Sequence, residues 1–362
     1  MSFKTTPVSA SIAKGVLAQM AEMEHEQVLF CQDKETGLKA IIAVHNTVLG
    51  PALGGTRMWN YATEEEALND VLRLSRGMTF KAAITGLKLG GGKAVIIGDA
   101  KTQKNEALMR RFGKFVETLG GKYITAEDVG METQDMVYIK KETDHVTGLP
   151  VEMGGNGNPS PVTAYGVYRG MKAAAKFTWG TDSLAGKKVL VQGTGHVGET
   201  LIDYLTKEGA TVFVNDINPE RVKTIVANYN AIAVSGNIYA EEVDIYAPCA
   251  LGATLNSETI PQLRCAIVCG AANNQLLDEK VHGQMLKDRG IVYAPDFLIN
   301  AGGIITVYAE VAGYNMQKTM EETARIYDTT LNILNTAKEQ NITTAQAALN
   351  AAMARIAAAR KN

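Results

Sequence analysis

Lys81 follows Gly77-Met78-Thr79-Phe80, Lys93 follows Gly90-Gly91-Gly92, and Asp128 lies in the run Ala126-Glu127-Asp128-Val129-Gly130. These residue types suit oxidation of an amino acid. A fixed cation can hold a substrate carboxylate. A lysine desolvated beside a second cation has a lowered pKa and can activate water or polarise a carbonyl. A carboxylate can carry protons to and from nitrogen. Three glycines let the chain turn tightly and approach a ligand closely, so that Lys93 projects from a constrained point. Residue type and spacing alone leave an equal reading open, in which these are three surface charges near loops.

A second constellation is Gly193-Thr194-Gly195-His196-Val197-Gly198, a G-x-G-x-x-G pattern. It follows the strand-like VLVQ and opens a helical pattern, the context in which the pattern signals dinucleotide binding. The first glycine permits the tight turn, the second lets the backbone approach a pyrophosphate, and the third allows close helix–strand packing. The helix start then offers N–H groups and partial positive charge to phosphates. Asp216 ends the next strand at the expected interval of about 20 residues, where a carboxylate bonds the ribose hydroxyls and repels a 2′-phosphate. The pattern therefore favours NAD over NADP, although Arg221 is close in sequence. The alternative is a Gly-rich turn that binds no nucleotide. Within the turn, His196 is expected to cap or pack.

The elements that must position these groups alternate. Strand-like runs occupy residues 38–44, 93–97 and 122–125, and later 189–192, 211–215, 244–246, 266–269 and 291–293. Helical patterns open at Thr63-Glu64-Glu65-Glu66, a capping box, and cover 162–177, 199–208 and the Ala-rich 343–360, a composition with high helix propensity. Leu68, Val71, Leu72 and Leu74 lie on or near one face of the first of these helices. Alternating strands and helices predict an α/β fold with a parallel, doubly wound sheet. The Gly-, Asn- and Pro-rich stretch 153–161 breaks regular structure and marks a domain boundary near residue 150. We expect a substrate-binding and oligomerisation domain over 1–150, with the C-terminal 335–362 folded back onto it. A Rossmann-type NAD domain then covers 151–334, with a cleft between the two.

Composition bounds the alternatives. The chain has 362 residues, 46% of them hydrophobic, and a net charge of −2. That balance provides no electrostatic footprint for nucleic acid or an anionic membrane, and no apolar run is long enough to span a bilayer. Lys4 and Lys14 precede the first acidic residue, Glu22, as in a transit peptide, but no arginine accompanies them. A soluble tail and a cytoplasmic protein are the expectation. The four cysteines form no C-x-x-C pair and the five histidines no H-x-x-H or H-E-x-x-H spacing, so no metal site is expected. Cys249 reads as a small buried side chain near the cofactor.

Several long segments resemble the glutamate/leucine/phenylalanine/valine dehydrogenase family. They are GPALGGTRMW (50–59), GMTFKAAITGLKLGGGKAVI (77–96), YITAEDVG (123–130), NPSPVTAYGV (158–167), APCALGATLN (247–256), CGAANNQL (269–276) and NAGG (300–303). The resemblance runs from about residue 25 to the C-terminus. It implies that Lys81 binds the substrate carboxylate, that Lys93 is the catalytic lysine polarising the carbonyl and the attacking water, and that Asp128 is the general acid/base. It implies further that Thr163, Asn274 and Asn300 surround the nicotinamide and substrate. The reaction implied is NAD-dependent oxidation at the amino acid Cα. Water activated by Lys93 then adds to the resulting iminium, and ammonia leaves a 2-oxo acid while Asp128 moves protons. The resemblance also implies a homo-oligomer, leucine-specific members commonly being octamers.

The family's specificity pocket is matched here by Leu53, Ala126, Ile304 and Val307, all apolar. Glutamate-specific members carry lysine and serine at the positions of Leu53 and Val307, and a glutamate side-chain carboxylate in this pocket would be buried without a partner. Phenylalanine-specific members tend to have a smaller residue where Ala126 stands. Leucine is the foremost expectation, with valine and isoleucine beside it, because an apolar pocket separates them by only about 1–3 kcal/mol. Ile304, often valine in leucine-specific members, shifts the preference toward a smaller side chain. The competing readings are a phenylalanine dehydrogenase and a catalytically inactive NAD-sensing homologue.

Overall fold

A computed structural model describes residues 15–361. The tail that bears Lys4 and Lys14 lies outside the described residues. The first sheet comprises β1 (Gln27–Gln32), β2 (Lys39–Asn46), β3 (Ala52–Trp59), β4 (Gly90–Ile97) and β5 (Tyr123–Glu127), in the order β1-β2-β4-β3-β5. β1, β2 and β4 pair antiparallel, while β3 pairs parallel with both β4 and β5. β2 and β4 are buried along nearly their whole length, which is why both read as continuous apolar or small-residue runs rather than alternating ones.

The helix Glu64–Ile84 covers β2 and β4 through Leu68, Val71 and Leu72. Thr63 caps it, accepting from the Glu66 N–H at 3.1 Å. The Glu66 carboxylate reaches back to the Ala62 N–H at 2.8 Å, one residue beyond the partner a standard box would use.

The glycine triplet corrects the sequence reading. Gly90, Gly91 and Gly92 are strand residues of β4, not a turn toward a ligand. A Cβ would fall 1.9 Å from the Asn46 carbonyl oxygen at Gly90, 2.1 Å from the Thr79 nitrogen at Gly91 and 2.7 Å from the Tyr123 ring at Gly92. The bare backbone makes room for protein neighbours.

The second sheet comprises β6 (Lys188–Gln192), β7 (Thr211–Asn215), β8 (Ile232–Ala233), β9 (Ile245–Pro248), β10 (Ile267–Val268) and β11 (Val292–Tyr293). All its pairings are parallel, in the order β11-β10-β9-β6-β7-β8. Read from β8, this is the doubly wound order 3-2-1-4-5-6, whose reversal between β6 and β9 opens a ligand crevice at the strands' carboxyl ends. The helix Ser160–Trp179 packs on this sheet and on the helix Ile326–Glu339. Leu53, Ala82 and Ile124 of the first unit share one apolar cluster with Val191, Ile299 and Ile304 of the second, so the core continues between them.

The C-terminal helix Thr344–Ala359 packs on the 64–84 helix and also on Ile326–Glu339 and Glu279–Asp288. Its Arg355 donates to the carbonyls of Ala83 and Gly86, both at 2.7 Å, and of Leu87 at 2.9 Å. A cation there complements the C-terminal end of the 64–84 helix and bonds the carbonyls of Gly86 and Leu87 just beyond it. Among the described residues no helix is long and apolar enough to cross a membrane.

Candidate active site

Three adjacent strands bring the charged groups together. β4 carries Lys93. The parallel register sets Thr56 of β3 opposite Glu127 of β5, so Arg57 and Asp128 emerge side by side. The Lys93 ammonium lies 3.0 Å from Asp128 Oδ1, with its side chain only 6% exposed. Arg57 Nε donates to the other Asp128 oxygen, Oδ2, at 2.8 Å. Burial pushes the Asp128 carboxyl up, but the Lys93 ammonium and the Arg57 guanidinium outweigh it and hold the group below the ordinary carboxylate range. Burial pushes Lys93 down, opposed by Asp128, and the lysine stays below its ordinary value.

Lys81 stands near the end of the 64–84 helix. Its ammonium donates to Asn300 Oδ1 at 2.7 Å, a bond between the two sheets' domains. The Asn300 amide is oriented by its other end, which donates to the Ala271 carbonyl at 3.1 Å and to Asn273 Oδ1 at 2.8 Å. Burial pushes Lys81 down to about 8, against the attraction of Asp296 and with the repulsion of Lys93. Asp296 is buried and accepts from the Gln275 N–H at 2.9 Å.

Thr163 sits against the NAGG turn: a Cβ on Gly302 would fall 2.4 Å from its nitrogen. Leu53, Ala126 and Ile304 are buried, at 2%, 5% and 5% exposure, and Val307 is half-buried against the cluster holding Leu53 and Ile304. Asn274 is exposed with a left-handed backbone, φ 51°, and its neighbour Asn273 makes the bond to Asn300.

The Gly-rich turn joins β6 to the helix His196–Lys207 beneath the β6/β9 crevice. Gly193 has φ +98°, and a Cβ there would stand 2.8 Å from that of Ala250. A Cβ on Gly198 would fall 2.0 Å from the Gly193 carbonyl oxygen, so that glycine serves packing. Gly195, the helix N-cap, has open space around it, and no side chain caps the first turn. A bare, uncapped helix start of this kind fits a dinucleotide pyrophosphate. Asp216 accepts from the Thr194 N–H at 2.7 Å and hydroxyl at 2.9 Å, which ties the turn to the end of β7. Val197 packs into the core. His196 neither caps nor packs; it is exposed as the first residue of the helix. Cys249 lies beneath the turn, half-buried, and burial pushes its thiol up to about 12, as a packing cysteine requires.

The residues missed from sequence are Arg57, Asp70, Tyr61, Asn273 and Asp296. A signal existed for Arg57: strand alternation puts it on the same face as Leu53 and Gly55. Asp70 and Asn273 carried none, because the partners that matter, Arg57 and Asn300, stand on other elements.

Comparison with known proteins agrees with this architecture. Residues 25–145 match the family model described as "Glu/Leu/Phe/Val dehydrogenase, dimerisation domain". Residues 213–362 match "Glutamate/Leucine/Phenylalanine/Valine dehydrogenase". The leucine dehydrogenase of Geobacillus stearothermophilus is 56% identical over 343 residues, 94% of this chain and 93% of that one. That of Bacillus subtilis is 54% identical over 324 residues, 89% of each chain. The crystal structure of L-tryptophan dehydrogenase from Nostoc punctiforme superposes with a TM-score of 0.87 at 46% identity, covering 96% of this chain and 100% of that one. The chain therefore belongs to the Glu/Leu/Phe/Val dehydrogenase family of amino acid dehydrogenases.

Proposed function

We propose that the chain catalyses the NAD-dependent, reversible oxidative deamination of a branched-chain L-amino acid. Leucine is the foremost substrate, with valine and isoleucine beside it, and the products are the 2-oxo acid, ammonia and NADH. The observation that carries the reading is the pair of buried Lys93 and half-buried Asp128 at 3.0 Å, beside a Lys81 that already reaches the second domain through Asn300. The substrate side chain meets Leu53, Ala126, Ile304 and Val307, whose burial leaves a second carboxylate without a partner. Several relatives of 54–56% identity are named leucine dehydrogenase, in keeping with this choice.

Lys81 pairs with the substrate carboxylate and fixes the Cα. Bound NAD would supply a nicotinamide ring as hydride acceptor, and Gly193, Gly195 and the N–H groups of His196, Val197 and Gly198 would hold its pyrophosphate. Asp216 would meet the ribose hydroxyls and disfavour NADP, and Thr163, Asn274 and Asn300 would border the nicotinamide. Lys93, whose charged form burial disfavours, polarises the water that adds to the iminium carbon. Asp128, held ionised, accepts a proton and returns it to the departing nitrogen. The water oxygen becomes the carbonyl oxygen of the 2-oxo acid.

Residues 1–150 with about 335–362 form the substrate domain in this reading, and 151–334 the NAD domain. The working protein is a cytoplasmic homo-oligomer, an octamer by resemblance to leucine-specific relatives. The test is NADH formation with a panel of L-amino acids, each with NAD and NADP. Turnover of leucine, valine and isoleucine with NAD, and little with glutamate, is expected. Lys93→Ala and Asp128→Asn should each lose about 10²–10⁴-fold or more in turnover and still bind NADH. Wild-type turnover in either variant would overturn the mechanism. NADH binding with no turnover of any amino acid would point to a sensing protein.

A further inference from the structure

Asp128 has two carboxylate oxygens, and each is engaged by a different cation. Lys93 faces Oδ1 at 3.0 Å and Arg57 Nε faces Oδ2 at 2.8 Å. Arg57 is itself held from behind. Its Nη1 donates to Asp70 Oδ2 at 3.0 Å, and the Tyr61 hydroxyl donates to the same oxygen at 2.7 Å. Arg73 takes the other Asp70 oxygen at 3.1 Å. Side-chain exposure is 24% for Arg57 and 16% for Asp70, so solvent screens this chain only in part. Two ends of one rigid guanidinium are thus used at once, a geometry lysine cannot reproduce.

We propose that Arg57, oriented by Asp70, is a positioning residue that holds the Asp128 carboxylate in one rotamer, ready to accept a proton. The inference rests on the reading of Asp128 as the acid/base. Each carboxylate oxygen offers two acceptor sites, so with Lys93 and Arg57 in place one site per oxygen remains for the reacting proton. The other groups facing Asp128 are Lys81 from the 64–84 helix and Tyr123 from β5; those facing Arg57 are Asp128, Asp70 and Tyr61. Arg57 and Asp70 therefore act on Asp128 with opposite sign. The first attracts its charge directly, and the second partly neutralises the first.

A passive strut between β3, β5 and the 64–84 helix would show no such sign. The decisive measurement is the pH dependence of kcat/KM for L-leucine oxidation with NAD, in the full chain. In Arg57→Met the acid limb should move up by about 1–3 pH units, the usual effect of one adjacent arginine on an aspartate. Its kcat should fall by about 10²-fold from lost alignment, while the KM for leucine changes little. In Arg57→Lys the acid limb should stay near wild type while kcat still falls, because charge is kept and the fork is lost. In Asp70→Asn the limb should move down, the reverse of Arg57→Met.

A cavity of about 460 Å³ lined by Arg57, Trp59, Tyr61, Asp70 and Arg73 adjoins the pair, so truncating Arg57 leaves space that water can fill. If Arg57→Met nevertheless fails to fold, the direction of the Asp70→Asn shift decides. An acid limb unmoved in both variants, or moved the same way in both, overturns the proposal. Turnover that persists in Asp128→Asn overturns the parent reading instead.

Discussion

One added methyl group should disturb both lysines at once. Gly91 lies in β4 two residues before Lys93, and it faces Thr79, two residues before Lys81 on the 64–84 helix. In Gly91→Ala the new Cβ would stand 2.1 Å from the Thr79 nitrogen, 2.2 Å from its Oγ1 and 2.5 Å from its Cα. Two of these are backbone atoms, so no rotamer change relieves the clash. Ordinary contact begins near 3.4 Å, and the helix must retreat from the strand by about 1 Å or more, a distance that close-packed interiors do not absorb freely. Overpacking of this kind costs about 1–3 kcal/mol. At about 2–4 °C per kcal/mol, Tm should fall by roughly 2–12 °C. A displacement of about 1 Å between groups that must align costs about 10²-fold in rate. NADH binding should hold, because the proposed dinucleotide turn, Gly193–Gly198, belongs to the other sheet. Gly77→Ala is the control: it lies in the same helix, exposed and with no atom within 4 Å of its Cβ, and should stabilise by about 0.5–1 kcal/mol. Thermal unfolding and initial rates of NADH formation read both variants. A Gly91→Ala protein with wild-type Tm and kcat would refute the steric reasoning.

Asp216→Ser removes the carboxylate that accepts from Thr194; the NAD-to-NADP preference in kcat/KM should drop by about tenfold or more, the scale of one lost charged contact, and an unchanged ratio would remove the case for Asp216 as the selector. His45, buried at 4% exposure, is pushed down to about 4 from 6.5 by burial, with His25 adding. Between those values the unfolded chain binds the extra proton, so stability is whole above pH 6.5 and is lost as pH falls through the window, by up to ~3 kcal/mol. Denaturant titrations at neutral and mildly acid pH should show a smaller loss in His45→Gln than in the wild type; equal losses would count against it. Glu310 accepts from the Gly148 N–H at 2.8 Å and the Asn156 N–H at 2.9 Å, so Glu310→Ala should speed hydrogen exchange at both amides, and unchanged protection would contradict the tie.

Much of the fold was legible because its signals are local. The alternation of short apolar runs with capped helices announced the doubly wound sheet, and Thr63 and Thr343 mark helix starts the structure retains. The GTGHVG turn could be placed because its glycine spacing, between a strand-like run and a helical pattern, is itself a local signal. The second sheet's strands proved shorter than expected at 266–269 and 291–293, where only two residues pair in each. Apolar runs report burial, whereas pairing depends on where the partner strand ends.

The candidate site divides along the same line. By itself the sequence determined the residue types of Lys81, Lys93 and Asp128, the apolar character of Leu53, Ala126, Ile304 and Val307, and the family to which they point. Only the tertiary structure decided that Arg57 and Lys93 share Asp128, that Asp70 backs Arg57, that Asn273 orients Asn300, and that the glycine triplet admits a helix and a ring rather than a ligand. The physical reason is that periodicity encodes which face of an element is buried and stays silent on what it is buried against. Strand register and the crossing of the 64–84 helix over the sheet choose the partners, and both are set by the packing of the whole chain.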